Sequence, residues 1–253
     1  LHVTTATPFS TRRRTCAEVA LELMPGNKIR KYDTWHAMGQ GATTGSLVVT
    51  LEALKEMHLT PEDIQLIQND TKTCPDTGMA GASRSLYMDG NATIIAANKL
   101  LAAMRKEDGT LRTYDEMKAE GIETKYLGRY ETNTTPGLCR LDPNTGIGDP
   151  TPAFTYCLNL AEVEVDTKTG KTTVLKFTCV DFVGRIGNID AVNGQAYSGI
   201  MHGIGFALKE DYADVKKHAN MFGAGTSYIK DVPDDIDLIH IDGAISDGPF
   251  GSS

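Results

Sequence analysis

The stretch TYCLNLAEVEVDTKTGKTTVLKFTCVDFVG, residues 155–184, constrains the fold more than any other. Two runs alternate apolar and polar residues, and Asp166–Gly170 between them has the composition of a turn. Alternation with a period of two places one set of side chains on each face of an extended chain. The stretch therefore predicts a β-hairpin, and with it an antiparallel sheet.

The remaining elements are built around that hairpin. TCAEVALEL, 15–23, has helical spacing and ends at the turn MPGN. IRKYDTWHAM, 29–38, alternates weakly and reads as a strand. MGQGATTGSL, 38–47, opens a helix that runs to about Met57. A strand is expected over Ile64–Gln68, a polar loop over 69–78 and a long helix over 80–105. Residues 107–150 are rich in Gly, Pro, Thr and Asp and should be loop, with a short helix near 113–120 and a strand near 122–130. So long an irregular stretch is uncommon unless it is functional. NIDAVNGQAYSGIMHGIGFALKEDY, 188–212, reads as a small-residue helix able to pack closely on a helix or a ligand, and 236–241 as a last strand. The order β-α-β-α, then β-β-α-β, implies an α+β fold with mixed or antiparallel sheets and helices packed on one face. Residues 1–106 form a first α+β half, 107–151 a loop-rich connection and 152–253 a second half.

Charge removes several classes of function. With 25 basic and 33 acidic residues the chain carries −8, which argues against a broad nucleic-acid or anionic-membrane surface. Arg12-Arg13-Arg14 is best read as a solvated face. No apolar run approaches the ~20 residues that span a bilayer. LHVTTATPFS at the N-terminus lacks both an apolar core and an initiator Met, so the chain reads as an internal piece of something longer or a processed product. The five cysteines are widely spaced with no CxxC pair, so neither a zinc site nor an iron–sulfur cluster is legible, and free thiols in a cytoplasmic protein are expected.

Three glycine-rich segments share a chemistry. Gly39-Gln40-Gly41-Ala42 precedes a helix; TGMAGASRS, 77–85, precedes another; NGQAYSGIMHGIG, 193–205, lies within a third. Glycine lets a ligand touch the backbone, and Gln and Ser donate or accept hydrogen bonds. The first two segments sit where unpaired N–H groups and the helix dipole favour an anion. Taken singly, each also reads as a turn or a cap. The spacings GxxxxGK[ST] and strand–GxGxxG are absent, so the common nucleotide folds are not indicated.

Taken in order, MGQGA, GMAGASRS, AEVEVDTKTGKTTVLKF, CVDFVGRIGN, NGQAYSGIMHGIGFAL and DGPFG resemble the molybdopterin-binding portion of the molybdenum hydroxylases, the xanthine oxidase and aldehyde oxidoreductase family. The resemblance runs over nearly the whole chain and is strongest to bacterial aldehyde oxidoreductases, through ALKEDYADVKKHANMFGAGTSYIKDVPDDIDL. It implies the family's cofactor-binding fold and a molybdopterin dinucleotide, of the cytosine form if the source is bacterial. The cofactor contacts it implies are Gly39, Gln40, Gly41 and Ala42, then Gly78, Ala80, Gly81, Ser83 and Ser85, and Gln195. His202 stands where many relatives have Gln, and reads equally as a hydrogen-bonding group or a core histidine.

The family's general-base glutamate follows GPFG in a Gly-x-Gly-Glu segment, and this sequence stops at Ser253. The resemblance therefore implies no catalytic residue and no metal ligand within the chain. Asp181, Glu162 and Glu164 lie in the hairpin strands, with structural readings. The complete protein is expected to oxidise an aldehyde to a carboxylic acid with water as the oxygen source, or to hydroxylate an N-heterocycle such as a purine. Its electrons would leave through iron–sulfur domains elsewhere. The isolated chain should be inactive and homo-oligomeric. A rival reading is a stand-alone cofactor-binding or assembly module, or a non-catalytic subunit.

Overall fold

The computed structural model describes residues 2–3, 16–78, 80–81, 84–131, 142, 144–148, 154–214, 216, 218 and 220–241. The chain divides into two compact units, one of residues 1–155, 183–188 and 242–253, the other of 156–182 and 189–241. The segment DGPFG lies outside the described residues.

In the first unit, β2 (Cys16–Met24), β3 (Lys28–Asp33), β4 (Ile64–Gln68) and β5 (Lys125–Glu131) form a sheet in the order β4-β3-β2-β5. β2 pairs antiparallel with both β3 and β5, while β3 and β4 run parallel with Asp33 opposite Gln68. β1 (His2–Val3) pairs with Phe154 and Thr155. The stretch 15–23, expected to be helical, is a strand, β2, from Cys16 onward. Ala17, Val19, Leu21 and Leu23 are fully buried, and Ala20 is nearly so. Buried Ala17, Val19, Leu21 and Leu23 alternate with half-buried Glu18 and Glu22, and only the buried Ala20 on the polar side interrupts the period of two, so that a short run with Ala, Leu and Glu also fits helical spacing.

Among the described residues of this unit, the α-helices are α1 (Ala42–Ala53), α2 (Ser85–Met104) and α3 (Tyr114–Ala119). Leu21, Leu23 and Ile29 of the sheet pack with Ala96, Ala97, Leu100 and Met104 of α2, closed at one end by Met117 of α3. α2 approaches β5 so closely that a Cβ on Gly128 would lie 2.0 Å from Ala92 O, a contact only glycine permits. The expected strand 29–38 stops at Asp33, because the chain there leaves the sheet.

The second unit contains the hairpin of β6 (Phe154–Val165) and β7 (Thr172–Phe182), with a bulge at Glu162/Val163. The strand β8 (Asp235–His240) adds parallel to β7, so the sheet is mixed. α4 (Ile189–Leu208) covers one face, where Ile200 and Ile204 meet Val174, Cys179 and Leu238. A four-residue helix, α5 (Met221–Ala224), follows. Tyr156, Leu158 and Leu160 point to the other face and are more than half exposed. Among the described residues, no helix is long and apolar enough to cross a membrane.

Candidate functional site

In the first unit, both glycine segments in front of helices lie at one end of the sheet. β3 ends at Asp33 and the chain runs through 34–41 into α1; β4 ends at Gln68 and runs through 69–84 into α2. Because β3 and β4 are parallel neighbours, both turns leave from their carboxyl ends, where open α/β sheets bind ligands. The turns are tied together. Thr34 N–H donates to Thr77 Oγ1 at 2.8 Å and Thr77 N–H returns a bond to Thr34 Oγ1 at 2.9 Å. The His36 ring and Asn69 Oδ1 lie 3.1 Å apart.

Glycine is needed where these turns adopt left-handed backbone. Gly39 has φ +105° and Gly41, the N-cap of α1, has φ +84°. A Cβ on Gly39 would meet nothing within 4 Å, so the space beside it is open. At Gly78, φ +79°, a Cβ would crowd Arg84 Nη1 at 2.8 Å. Gln40 braces its own loop: Nε2 donates to His36 O at 2.8 Å, and Oε1 accepts from Met38 N–H. Ala42 is buried against Trp35 and Val49 and fixes the start of α1. Ala80, Gly81 and Ser85 are half-buried at the entrance of α2, and Gly81 O accepts from Arg84 N–H at 3.3 Å. Ser83 lies outside the described residues.

The two helix entrances share an electrostatic character. Neither α1 nor α2 has a side-chain cap or an acidic residue in its first turn. The contrast is α3, where Thr113 and Glu116 form a reciprocal capping box and Asp115 adds a second negative charge. The first turns of α1 and α2, with neither a side-chain cap from Gly41 or Arg84 nor an acidic residue, leave two positive dipole ends at one rim, with Thr43 and Thr44 exposed beside the first. The donor set suits a phosphate-bearing ligand, and the glycines give it backbone to lie against.

Beneath this rim lies a buried charge cluster. Lys31, Asp33 and Asp89 have no exposed surface. Lys31 Nζ is 2.7 Å from Asp89 Oδ2 and 3.3 Å from Asp33 Oδ2. Asp33 also accepts from Ser46 Oγ at 2.6 Å, from Gln68 Nε2 at 2.8 Å and from Trp35 N–H at 3.3 Å. Thr93 Oγ1 donates to Asp89 Oδ2 at 3.3 Å. Burial pushes the Asp89 carboxyl up to about 6, against the pull of Lys31. No motif in the sequence singles these residues out. The available signal was Asp89, an acid on the same helix face as Thr93, Ala97 and Leu101.

In the second unit, Gln195, Gly199, His202 and Phe206 share an exposed face of α4. His202 is therefore not a core histidine. Cβ atoms at Gly194, Gly199 and Gly203 would meet nothing within 4 Å, so that face of the helix is open. At its N-terminal end, His240 links Asp181 at 2.6 Å to Asn193 at 2.7 Å and sets α4 on the sheet. That contact gives Asp181 a structural role. No cluster of three metal-ligating side chains occurs among the described residues.

Comparison with known proteins agrees with this chemistry. The family model of the molybdopterin cofactor-binding domain matches residues 2–233. The aldehyde oxidoreductase of Megalodesulfovibrio gigas is 40% identical over 237 residues, covering 94% of this chain and 26% of that protein. The xanthine dehydrogenase of Dictyostelium discoideum is 25% identical over 76% of this chain and 14% of its own length. Among solved structures, the aldehyde oxidoreductase of Desulfovibrio desulfuricans superposes with a TM-score of 0.88 at 42% identity, over 95% of this chain and 26% of that one. The chain thus spans about a quarter of the length of the aldehyde oxidoreductases it matches.

Proposed function

This chain belongs to the molybdopterin cofactor-binding domain family, and from that premise we propose that its first unit cradles the phosphate-bearing part of a molybdopterin dinucleotide, in a protein that oxidises aldehydes. The observation that carries the reading is the pair of uncapped, acid-free helix entrances at the shared carboxyl end of β3 and β4, reached through left-handed glycines.

Each residue has a defined part. Gly39 gives backbone room, Gly41 turns the chain into α1 through left-handed backbone, and α1 presents its first turn to the phosphates. Gln40 holds the loop in shape from within and can redirect its amide to the ligand. Gly78, Ala80, Gly81, Ser83 and Ser85 serve the second entrance in the same way. Gln195 is carried in the proposal by its place in the family motif, with exposed His202 as a second hydrogen-bonding group on the same helix face.

The bound cofactor supplies the redox chemistry. The proposed net reaction of the complete protein is aldehyde plus water giving carboxylic acid, two protons and two electrons, the electrons leaving through iron–sulfur domains. This chain's residues bind and orient rather than transfer protons. Asp33 has both oxygens engaged and Asp89 is sealed beneath the rim, so neither serves as a general base. The likeness to bacterial aldehyde oxidoreductases favours the cytosine form of the dinucleotide in this proposal. A cytoplasmic setting fits the unbridged state of all four described cysteines.

The test is chemical analysis of the protein purified from a host that makes the cofactor. Molybdenum, pterin and cytidine monophosphate are expected in equal amounts. Folded protein without pterin would overturn the reading; pterin with guanosine or adenosine monophosphate would overturn only the cytosine assignment.

A further inference from the structure

The buried charges below the rim connect all four elements that carry the two entrances. Lys31 and Asp33 are the last inward residues of β3, Gln68 ends β4, Ser46 lies in the second turn of α1 and Asp89 in the second turn of α2. Asp33 bonds to α1 through Ser46 and to β4 through Gln68. Lys31 bonds to α2 through Asp89 and stands 5.9 Å from the ring centroid of Trp35, which packs with Ala42 and Val49 of α1. An apolar trio of similar volume would hold the elements together without the desolvation cost of three charges, but without direction. Directional bonds fix the relative placement of two helix ends, which apolar contacts leave adjustable.

We propose that Asp33, Lys31 and Asp89 are positioning residues that set the spacing of the two glycine-bearing helix entrances, so that their N–H groups are preset for the two ends of one phosphate-bearing ligand. This rests on the cofactor reading above. Preorganisation of this kind raises affinity by removing the ordering cost from the binding step. The cluster touches no ligand; it acts through Ser46, Gln68 and the α2 backbone.

Trp35 is the only tryptophan in the chain, so its fluorescence reports on the cluster independently of any cofactor. Four variants are compared, each made in a host that supplies the cofactor: Asp33→Asn, Ser46→Ala, Leu100→Ala as a core-cavity control distant from the rim, and Gly41→Val as a direct block of the cradle. Molybdenum and pterin are measured per folded molecule, beside melting curves and Trp35 emission. Asp33→Asn is expected to bind the cofactor about tenfold more weakly, the scale of one lost charged hydrogen bond, with a red-shifted emission. Ser46→Ala should lose part of the same affinity, and it keeps the test decisive if Asp33→Asn does not fold. Leu100→Ala should melt at least as early as either and keep both its cofactor and its emission. Full loading of Asp33→Asn and Ser46→Ala would overturn the inference, as would loss in Leu100→Ala in proportion to its melting point. An empty Gly41→Val beside a loaded Asp33→Asn would sink the positioning role alone. A fully loaded Gly41→Val would instead sink the cofactor reading on which it rests.

Discussion

Lys31 Nζ lies 2.7 Å from Asp89 Oδ2, and neither side chain reaches solvent. The pair joins the inner strand β3 to the start of α2, and it makes a pH dependence that can be measured. Burial raises the Asp89 carboxyl to about 6 in the folded protein, whereas in the unfolded chain it titrates near ~3.9. Between those values the folded state holds a proton that the unfolded state lacks. The contribution of Asp89 is therefore most favourable below about pH 4 and is lost as pH rises through about 6. The unfolding free energy of the wild type, minus that of Asp89→Asn, should fall by about 2–3 kcal/mol from pH 4 to pH 7. Denaturant titrations at four pH values check this, and parallel profiles for the two proteins would refute it.

Gly128 in β5 should be intolerant of even a methyl group. A Cβ there would sit 2.0 Å from Ala92 O and 2.6 Å from Ala96 N, both backbone atoms of α2 that cannot rotate away. Gly128→Ala is expected to destabilise by about 3 kcal/mol, the upper end for overpacking. Gly194→Ala in α4 is the contrast, because its Cβ would meet nothing within 4 Å. That change should stabilise by about 0.5–1 kcal/mol through helix propensity alone. Equal effects of the two substitutions in equilibrium unfolding would show the close approach of α2 to β5 to be wrong.

Leu158 and Leu160 are 64% and 56% exposed on the face of the second sheet that α4 does not cover. Replacing both by Lys should change stability by less than about 1 kcal/mol, as expected of surface positions. Binding of a hydrophobic dye to the native protein should drop in the same variant, because a contiguous apolar patch is removed. A large loss of stability would mean that these leucines are packed.

Much of this was legible in the sequence, for identifiable reasons. The hairpin of β6 and β7 was, because apolar and polar residues alternate along both strands and Asp166–Gly170 has the composition of a turn. The strand Ile64–Gln68 and the long helix of α2 were bounded by Pro and Gly signals. β2 was misread as helical because Ala20 breaks its alternation and its Ala, Leu and Glu residues also suit a helix. The glycine segments could be located, but their joining at one rim could not, since the parallel pairing of β3 with β4 is a long-range fact. Lys31 and Asp33 were hidden for another reason: polar residues in a strand normally signal solvent, and here they meet a partner on α2.

Gln40 should matter less than the glycines beside it. Its amide closes the 36–40 loop through two hydrogen bonds, each worth about 0.5–1.5 kcal/mol net. Gln40→Ala is expected to lower the melting temperature slightly and to leave part of the cofactor bound. A variant wholly devoid of pterin at an unchanged melting temperature would assign Gln40 a dominant direct contact instead.

Gly41 bears most directly on the cradle. It caps α1 at φ +84°, where a β-branched residue is strained, and its replacement puts a side chain at the entrance that the phosphates are to meet. The decisive measurement is molybdenum by mass spectrometry per folded molecule of Gly41→Val, set beside its melting curve. A folded protein with little molybdenum is expected. Full molybdenum occupancy in folded Gly41→Val, with only the melting temperature lowered, would reduce the glycine loop to a turn and contradict the cradle.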